Sequence, residues 1–149
     1  MSSLTRRSAL LLGAGMSFTL VAVDDGIATP AEANAEIAKF TGGKATEGGK
    51  IAIDLPEIAE NGNTVPLAIK VDSPMTADDY VSEIRVVGDA NPNAGIVRFH
   101  LTPMSGRAEA ATRIRLGGTG TVTVLAKTST GKLYADRKVV KVTVGGCGG

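Results

Sequence analysis

The strongest nucleophile in this 149-residue chain is the thiol of Cys147, which is the only cysteine. It lies third from the end, in the run Gly145, Gly146, Cys147, Gly148 and Gly149. A cysteine thiolate bonds readily to sulfur, and glycine adds neither bulk nor rigidity around it. Five extended residues reach roughly 16 Å. The pattern therefore predicts a flexible C-terminal arm, residues 145–149, that offers one thiol to a narrow slot in another protein.

The tail contains no group that would activate this thiol. An ordinary cysteine has a pKa of about 8.5, so only about 3% is thiolate at pH 7. Neither a basic side chain nor a helix start accompanies Cys147 in the tail. We therefore expect a partner enzyme to activate it. The alternative is a frayed terminus in which a stray cysteine has no role.

Residues 1–35 are predicted to be an export signal. Arg6 and Arg7 precede an apolar run, Ala9–Val23, of about 15 residues, which is short for a membrane span of about 20. Paired arginines at this place are typical of twin-arginine signals, which export folded proteins. The route's usual Phe after the arginines is Ala9 here, and a buried N-terminal helix is the alternative interpretation.

The small residues at 33–35 predict cleavage before Glu36, and those at 31–33 form an alternative site. No cysteine lies near either site, which argues against a lipid anchor. We expect a periplasmic protein, exported by the twin-arginine route and not stably associated with the membrane.

Composition excludes several functional classes. The chain carries 16 Lys and Arg against 15 Asp and Glu, with two Tyr, three Phe and no Trp. Nucleic-acid binding uses clustered basic and stacking aromatic residues, so it is not expected. One cysteine cannot form an internal disulfide. His100 is the only histidine and has no cysteine or second histidine near it to share a metal, so we predict no metal, no cofactor and no catalytic residue in the body of the protein.

Apolar residues recur with a period of two through most of the remaining chain, which is typical of half-buried strands. Turn-forming residues separate seven such segments: 51–55, 65–71, 83–86, 97–101, 110–116, 121–126 and 140–144. One or two helical turns are expected over 34–40, ended by Gly42, and Met75 and Met104 are expected in the core. The pattern predicts an all-β fold over residues 36–144, an immunoglobulin-like antiparallel β-sandwich without its usual Cys–Trp–Cys core.

With this leader, β domain and tail, the chain resembles the SoxY family. That family is the substrate-carrying subunit of the SoxYZ complex in the Sox thiosulfate-oxidising system. The likeness covers the whole chain and includes the short element Ile37–Phe40 before a glycine pair. The Gly-Gly-Cys-Gly-Gly tail is its specific part.

The resemblance implies a heterodimer with a SoxZ-like subunit and covalent substrate attachment at Cys147. It also implies transient docking to three enzymes. A SoxAX-like c-type cytochrome would join thiosulfate to the thiol, a SoxB-like hydrolase would release sulfate, and a sulfur dehydrogenase would oxidise the remaining sulfane sulfur. The carrier would perform no turnover by itself.

Three other functions remain open on the residues alone. A thiocarboxylate sulfur carrier also ends in Gly-Gly, although the leader and the all-β pattern argue against its ubiquitin-like fold. An exported β-sandwich module would use its terminal cysteine only for intermolecular disulfides. An inert binding sandwich would carry the cysteine by accident.

Overall fold

The computed structural model describes residues 26–146. The predicted export arginines, Arg6 and Arg7, lie outside the described residues, as do Cys147, Gly148 and Gly149. Among residues 26–146, no helix is both long and apolar enough to cross a membrane.

The described chain has one α-helix, eight strands and a short 3₁₀ turn. The helix α1 spans Pro30–Thr41, and the turn spans Pro103–Ser105. The strands are β1 (Ile51–Asp54), β2 (Ile58–Asn61), β3 (Val65–Val71), β4 (Val81–Gly88), β5 (Gly95–His100), β6 (Glu109–Ile114), β7 (Gly120–Thr128) and β8 (Leu133–Val144).

The strands form two sheets with the orders β1-β3-β6 and β2-β8-β7-β4-β5. Aliphatic side chains from both sheets make one core, in which Leu67 and Ile69 of β3 join Ile84 of β4 and Val124 of β7. These four side chains are at most 2% exposed. The predicted all-β sandwich is confirmed, and each of the seven predicted segments overlaps one of the strands.

Alternation predicted the buried face correctly in β3. Val65, Leu67, Ile69 and Val71 are buried, while Pro66, Ala68 and Lys70 between them are more exposed. This follows because successive side chains of a strand point to opposite faces of the sheet. Burial of a whole row of aliphatic side chains is what determines the register of the strand.

The eighth strand, β2, was not predicted. It pairs in parallel with β8, with Ile58 opposite Lys141 and Asn61 opposite Val144, whereas the other strand pairs are antiparallel. Only Ala59 of its four residues is buried. A strand with one buried residue shows no alternation, so its pairing was invisible in the sequence.

The prediction of a helix over 34–40 was wrong at its start. The helix α1 begins at Pro30 because Thr29 caps it: the Thr29 hydroxyl accepts from the Glu32 amide, and the Glu32 carboxylate accepts from the Thr29 amide. These residues lie within the segment predicted to be the export signal, where no helix of the folded domain is expected. The predicted end is confirmed, since Gly42 is the left-handed C-cap with a φ of 61°.

Helix α1 lies on the five-stranded sheet. Ala33 is buried with Val87 of β4 and Leu125 of β7, and Ile37 and Phe40 pack against the same small cluster. The side chain of Leu125 has no exposed surface although it points away from the main core. The helix therefore gives the outer face of this sheet a second apolar layer.

The two methionines expected in the core differ. Met75 is 6% exposed, with a positive φ of 52°, and belongs to the core. Met104 is 96% exposed, so the prediction for it was wrong. It lies in the middle of the Pro103–Ser105 turn, where a local turn rather than packing determines its place.

Candidate functional site

The candidate site is the end of the sandwich from which the chain leads to Cys147. Strand β8 ends at Val144, and Gly145 and Gly146 follow it. They meet the turn after β2 at Gly62 and the loop after β6 at Leu116 and Gly117.

Three backbone hydrogen bonds connect these segments. The Gly62 amide donates to the Val144 carbonyl at 2.7 Å, and the Leu116 amide donates to the Gly62 carbonyl at 2.8 Å. The Gly146 amide donates to the Leu116 carbonyl at 2.9 Å. Gly146 is buried as a result.

The backbones approach too closely here for any side chain. A Cβ on Gly62 would overlap the Leu116 carbonyl oxygen and lie 2.8 Å from the Gly146 nitrogen. A Cβ on Gly146 would overlap the Gly62 carbonyl and lie 2.6 Å from the Asn63 nitrogen. A Cβ on Gly145 would overlap the Gly117 carbonyl oxygen. The residues Gly62, Leu116, Gly117, Gly145 and Gly146 are called the arm seat below.

A buried asparagine holds the loop that forms one wall of the arm seat. Asn91, in the β4–β5 loop, is 7% exposed. Its side-chain amide donates to the Arg115 carbonyl and its side-chain oxygen accepts from the Gly117 amide, both at 2.8 Å. Its backbone carbonyl accepts from the Ala28 amide. Asn91 thus connects the start of the described chain to the arm seat.

Two further hydrogen bonds hold the β6–β7 loop near the start of β7. The Asp89 carboxylate accepts from the Thr121 amide at 2.7 Å, and the Thr119 hydroxyl accepts from the Val142 amide at 2.9 Å. The Asp89 bond is partly buried and the Thr119 bond is exposed, and together they favour a single loop conformation. The surroundings of the arm seat are therefore built from paired backbone groups.

Two described carboxyl groups, those of Glu36 and Asp72, have a shifted pKa, and the Glu36 side chain is the less exposed of the two. A hydrogen bond from Lys39 lowers the pKa of Glu36, and the charges of Lys39 and Arg85 lower it further, although partial burial opposes them. The Glu36 side chain is 22% exposed and that of Arg85 is 18% exposed. The ion pair between Glu36 and Arg85 connects α1 to β4, so its structural role is to hold the helix against the sheet.

A second shifted pair joins the start of β1 to the end of β3. Lys50 donates to Asp72 at 2.9 Å, and this hydrogen bond lowers the pKa of Asp72 and raises that of Lys50. Both side chains are exposed, so solvent screens the contact. It resembles an ordinary surface ion pair rather than catalytic machinery.

No group of three or more His, Cys, Asp or Glu side chains that could hold a metal ion occurs among residues 26–146. His100 lies on the edge strand β5, opposite Glu83 of β4. Of the predicted site residues, the structure describes only Gly145 and Gly146. It places both against the body, whereas the sequence predicted that the flexible arm begins at Gly145. Their partners Gly62 and Gly117 lie between the predicted strand segments, where the sequence pattern indicates only turns.

Comparison with known structures defines the class of fold. Superoxide reductase (neelaredoxin) from Ignicoccus hospitalis is 19% identical, with a TM-score of 0.57, over 78% of this chain and 94% of that one. A putative superoxide reductase from Thermotoga maritima is 18% identical, with a TM-score of 0.56, over 65% and 93%. These likenesses show a shared β-sandwich and nothing about chemistry.

A third structure is similar in sequence as well. The sulfur carrier protein SoxY from Chlorobium limicola f thiosulfatophilum is 29% identical, with a TM-score of 0.63, over 76% of this chain and 98% of that one. Residues 37–147 match the family described as sulfur oxidation protein SoxY. The chain therefore belongs to the SoxY family. A search of curated proteins found no match.

Proposed function

We propose that this protein is a sulfur carrier of thiosulfate oxidation, with Cys147 as the covalent attachment site. The observation that carries the proposal is the family match over residues 37–147, which extends through the only cysteine. The related SoxY structure is of a protein described as a sulfur carrier. A single thiol between glycine pairs suits such a role, because no side chain beside it obstructs entry into an enzyme.

The proposed cycle begins with oxidative attachment of thiosulfate. The Cys147 thiol loses its proton, an S–S bond forms to the outer sulfur of thiosulfate, and two electrons pass to the c-type cytochrome that acts as oxidant. The product is a cysteine S-thiosulfonate. The proton and both electrons leave the carrier, so the carrier itself supplies the thiol and no redox centre.

Hydrolysis follows in the same proposal. A SoxB-like hydrolase adds water to the terminal sulfone, the bond between that sulfur and the sulfane sulfur breaks, and sulfate and two protons are released. A persulfide anion remains on Cys147 for a sulfur dehydrogenase to oxidise. The protein presents the substrate at each step and is not the catalyst of any.

We further propose that the protein acts in the periplasm as a heterodimer with a SoxZ-like subunit. The Arg6–Arg7 leader supports export by the twin-arginine route. Since that route transports folded cargo, a partner could assemble on this chain before export and leave with it. No nucleic acid and no stable membrane association belong to the proposal.

Mass spectrometry of the C-terminal peptide tests attachment directly. Reduced protein is incubated with thiosulfate and the c-type cytochrome, and the expected product has a mass increase corresponding to S₂O₃, located on the peptide that contains Cys147. A reducing agent should remove it. An adduct on another peptide, or a product made only of disulfide-linked chains, would contradict the carrier function and favour an export module that forms intermolecular disulfides.

A further inference from the structure

We propose that Gly145 and Gly146 belong to the folded body, so that the chain bearing Cys147 departs from the arm seat at Gly146. Gly62 then acts as a positioning residue for the thiol. The contacts of the arm seat involve only described residues, whereas its expected effect on turnover depends on the carrier function proposed above.

The contact between Gly62 and Gly146 is specific to glycine on both sides. Gly62 and Gly146 face each other so closely that a Cβ on either would meet the backbone of the other. A chain end that merely frayed from β8 would not be expected to bury Gly146 or pair its amide with the Leu116 carbonyl. Glycine at positions 145 and 146 thus allows the backbones to pack closely. This role is different from providing conformational freedom.

Gly118, which lies nearby, has no such contact. A Cβ on Gly118, in the same loop as Gly117, would have no atom within 4 Å, and Gly118 has no positive φ. Gly118 therefore tolerates alanine by geometry. This residue provides a matched control in the same segment of the chain.

The contacts of Gly145 and Gly146 limit how far the Cys147 thiol can extend from the sandwich. Counted from Gly145, five free residues would extend roughly 16 Å, but the Cα of Cys147 lies only about 3.8 Å from that of a seated Gly146. An enzyme that acts on the thiol must therefore approach this end of the sandwich.

Amide exchange of the full-length protein tests the seat without any enzyme. In the wild type we expect the Gly146 amide to exchange at least about tenfold more slowly than an unprotected glycine amide, because it is buried and hydrogen bonded. Gly62→Ala and Gly146→Ala should each abolish that protection. The controls Gly118→Ala and Gly148→Ala should retain it. Protected Val122 and Val124 amides would show that the body remains folded.

Kinetics with the partner enzyme test the positioning. Gly62→Ala leaves residues 145–149 unchanged, so it should raise the KM for the carrier about threefold or more while kcat changes less than twofold. Gly118→Ala should resemble the wild type in both constants. Should Gly62→Ala prevent folding, Gly146→Ala decides the structural question, because it follows the last strand.

A wild-type Gly146 amide that exchanges at the unprotected rate would overturn the seat, even if Cys147 carries sulfur. Equal exchange and equal KM for Gly62→Ala and Gly118→Ala would overturn it as well. Conversely, a protected Gly146 with full turnover by Cys147→Ser would reject the carrier function while the seat stands.

Discussion

At the scale of single residues, the proposed chemistry depends on one sulfur atom and the size of its neighbours. A thiol forms a stable bond to sulfur after loss of a proton and two electrons, and a serine hydroxyl cannot form the same linkage. Glycine on each side leaves the sulfur unobstructed. These two properties can be changed separately, because Cys147 and Gly148 are independent positions.

We expect Cys147→Ser to reduce thiosulfate oxidation by the reconstituted enzymes to the background rate. Unfolding free energy and partner binding should remain those of the wild type, because the substitution changes one atom beyond the last strand. Alkylation of the wild-type thiol should have the same effect. Oxygen or cytochrome reduction assays measure the rate, and normal turnover by Cys147→Ser would exclude Cys147 as the attachment site.

Gly148→Leu should slow turnover although the thiol is retained, because a branched side chain beside it obstructs a narrow slot. Gly146→Leu should slow it as well, and it should also displace the chain from Gly62 and Asn63, where a Cβ has no room. Single-turnover attachment of thiosulfate, followed by mass spectrometry, measures the effect of each of the two substitutions separately. Attachment to Gly148→Leu at the wild-type rate would disprove the narrow slot.

At the scale of elements, helix α1 spans the predicted boundary between the export signal and the β domain. Thr29 caps it, Ala33 is buried, and Glu36 contacts Arg85 of β4. The cleavage sites predicted from the small residues at 31–35 therefore lie inside a helix. Cleavage before Glu36 would remove the cap and leave Ile37 and Phe40 to hold the rest of the helix to the sheet.

We expect the exported protein to begin at or near Glu36. N-terminal sequencing of protein taken from the periplasm measures this. The family match begins at Ile37, one residue after this predicted start. An intact Met1 on the functional protein would show that residues 1–35 are not a removed signal.

Stability should fall in acid partly through Glu36. Its pKa is lowered by the hydrogen bond from Lys39 and by the charges of Lys39 and Arg85. A lowered folded-state pKa means that the contact stabilises the protein above the unfolded pKa, near 4.5, and that this contribution disappears as the pH falls below it. Glu36→Gln should therefore cost about 1 kcal/mol or less at pH 6, with a smaller difference at pH 3.

Denaturant titrations of wild type and Glu36→Gln at both pH values measure that difference. In the uncleaved full-length protein, where both residues are present, Glu32→Gln is a suitable comparison, since the acceptor role of Glu32 in the capping box can be kept by the amide oxygen. A Glu36→Gln penalty that grows on acidification would contradict the assigned direction of the pKa shift.

At the scale of the whole molecule, each sheet of the described sandwich ends in strands that pair on one side only. β1 and β6 are the edges of the three-stranded sheet, and β2 and β5 are those of the other. Asp54 is the only charged residue of β1. Edge strands with little charge are usually covered by another chain or another element.

We therefore expect a second small chain, resembling SoxZ, to purify with the exported protein in equal amount. Size-exclusion chromatography with light scattering measures the mass of the complex, and mass spectrometry identifies its components. Replacing Ala52 on β1 by Lys should weaken the complex if this edge is covered. A fully active monomer would contradict the heterodimer.

The sequence by itself determined the local features of this protein. The period-two rows of β3 predicted which face is buried, because a strand's side chains alternate by covalent geometry alone. Gly42 predicted the end of α1 for a similarly local reason, and Cys147 is visible without any structure. The capping pattern at Thr29 was equally local and readable, but it lay within residues assigned to the leader.

Only the tertiary structure decided the pairing of β2 with β8 and the arm seat. Gly62, Gly117 and Gly146 lie far apart in the sequence, and each has the appearance of a turn or tail glycine when read alone. What distinguishes them from Gly118 is the backbone of a distant segment within van der Waals distance. A contact of that kind leaves no periodicity and no local motif, so the point where the chain departs for Cys147 depends on how the loops meet in space.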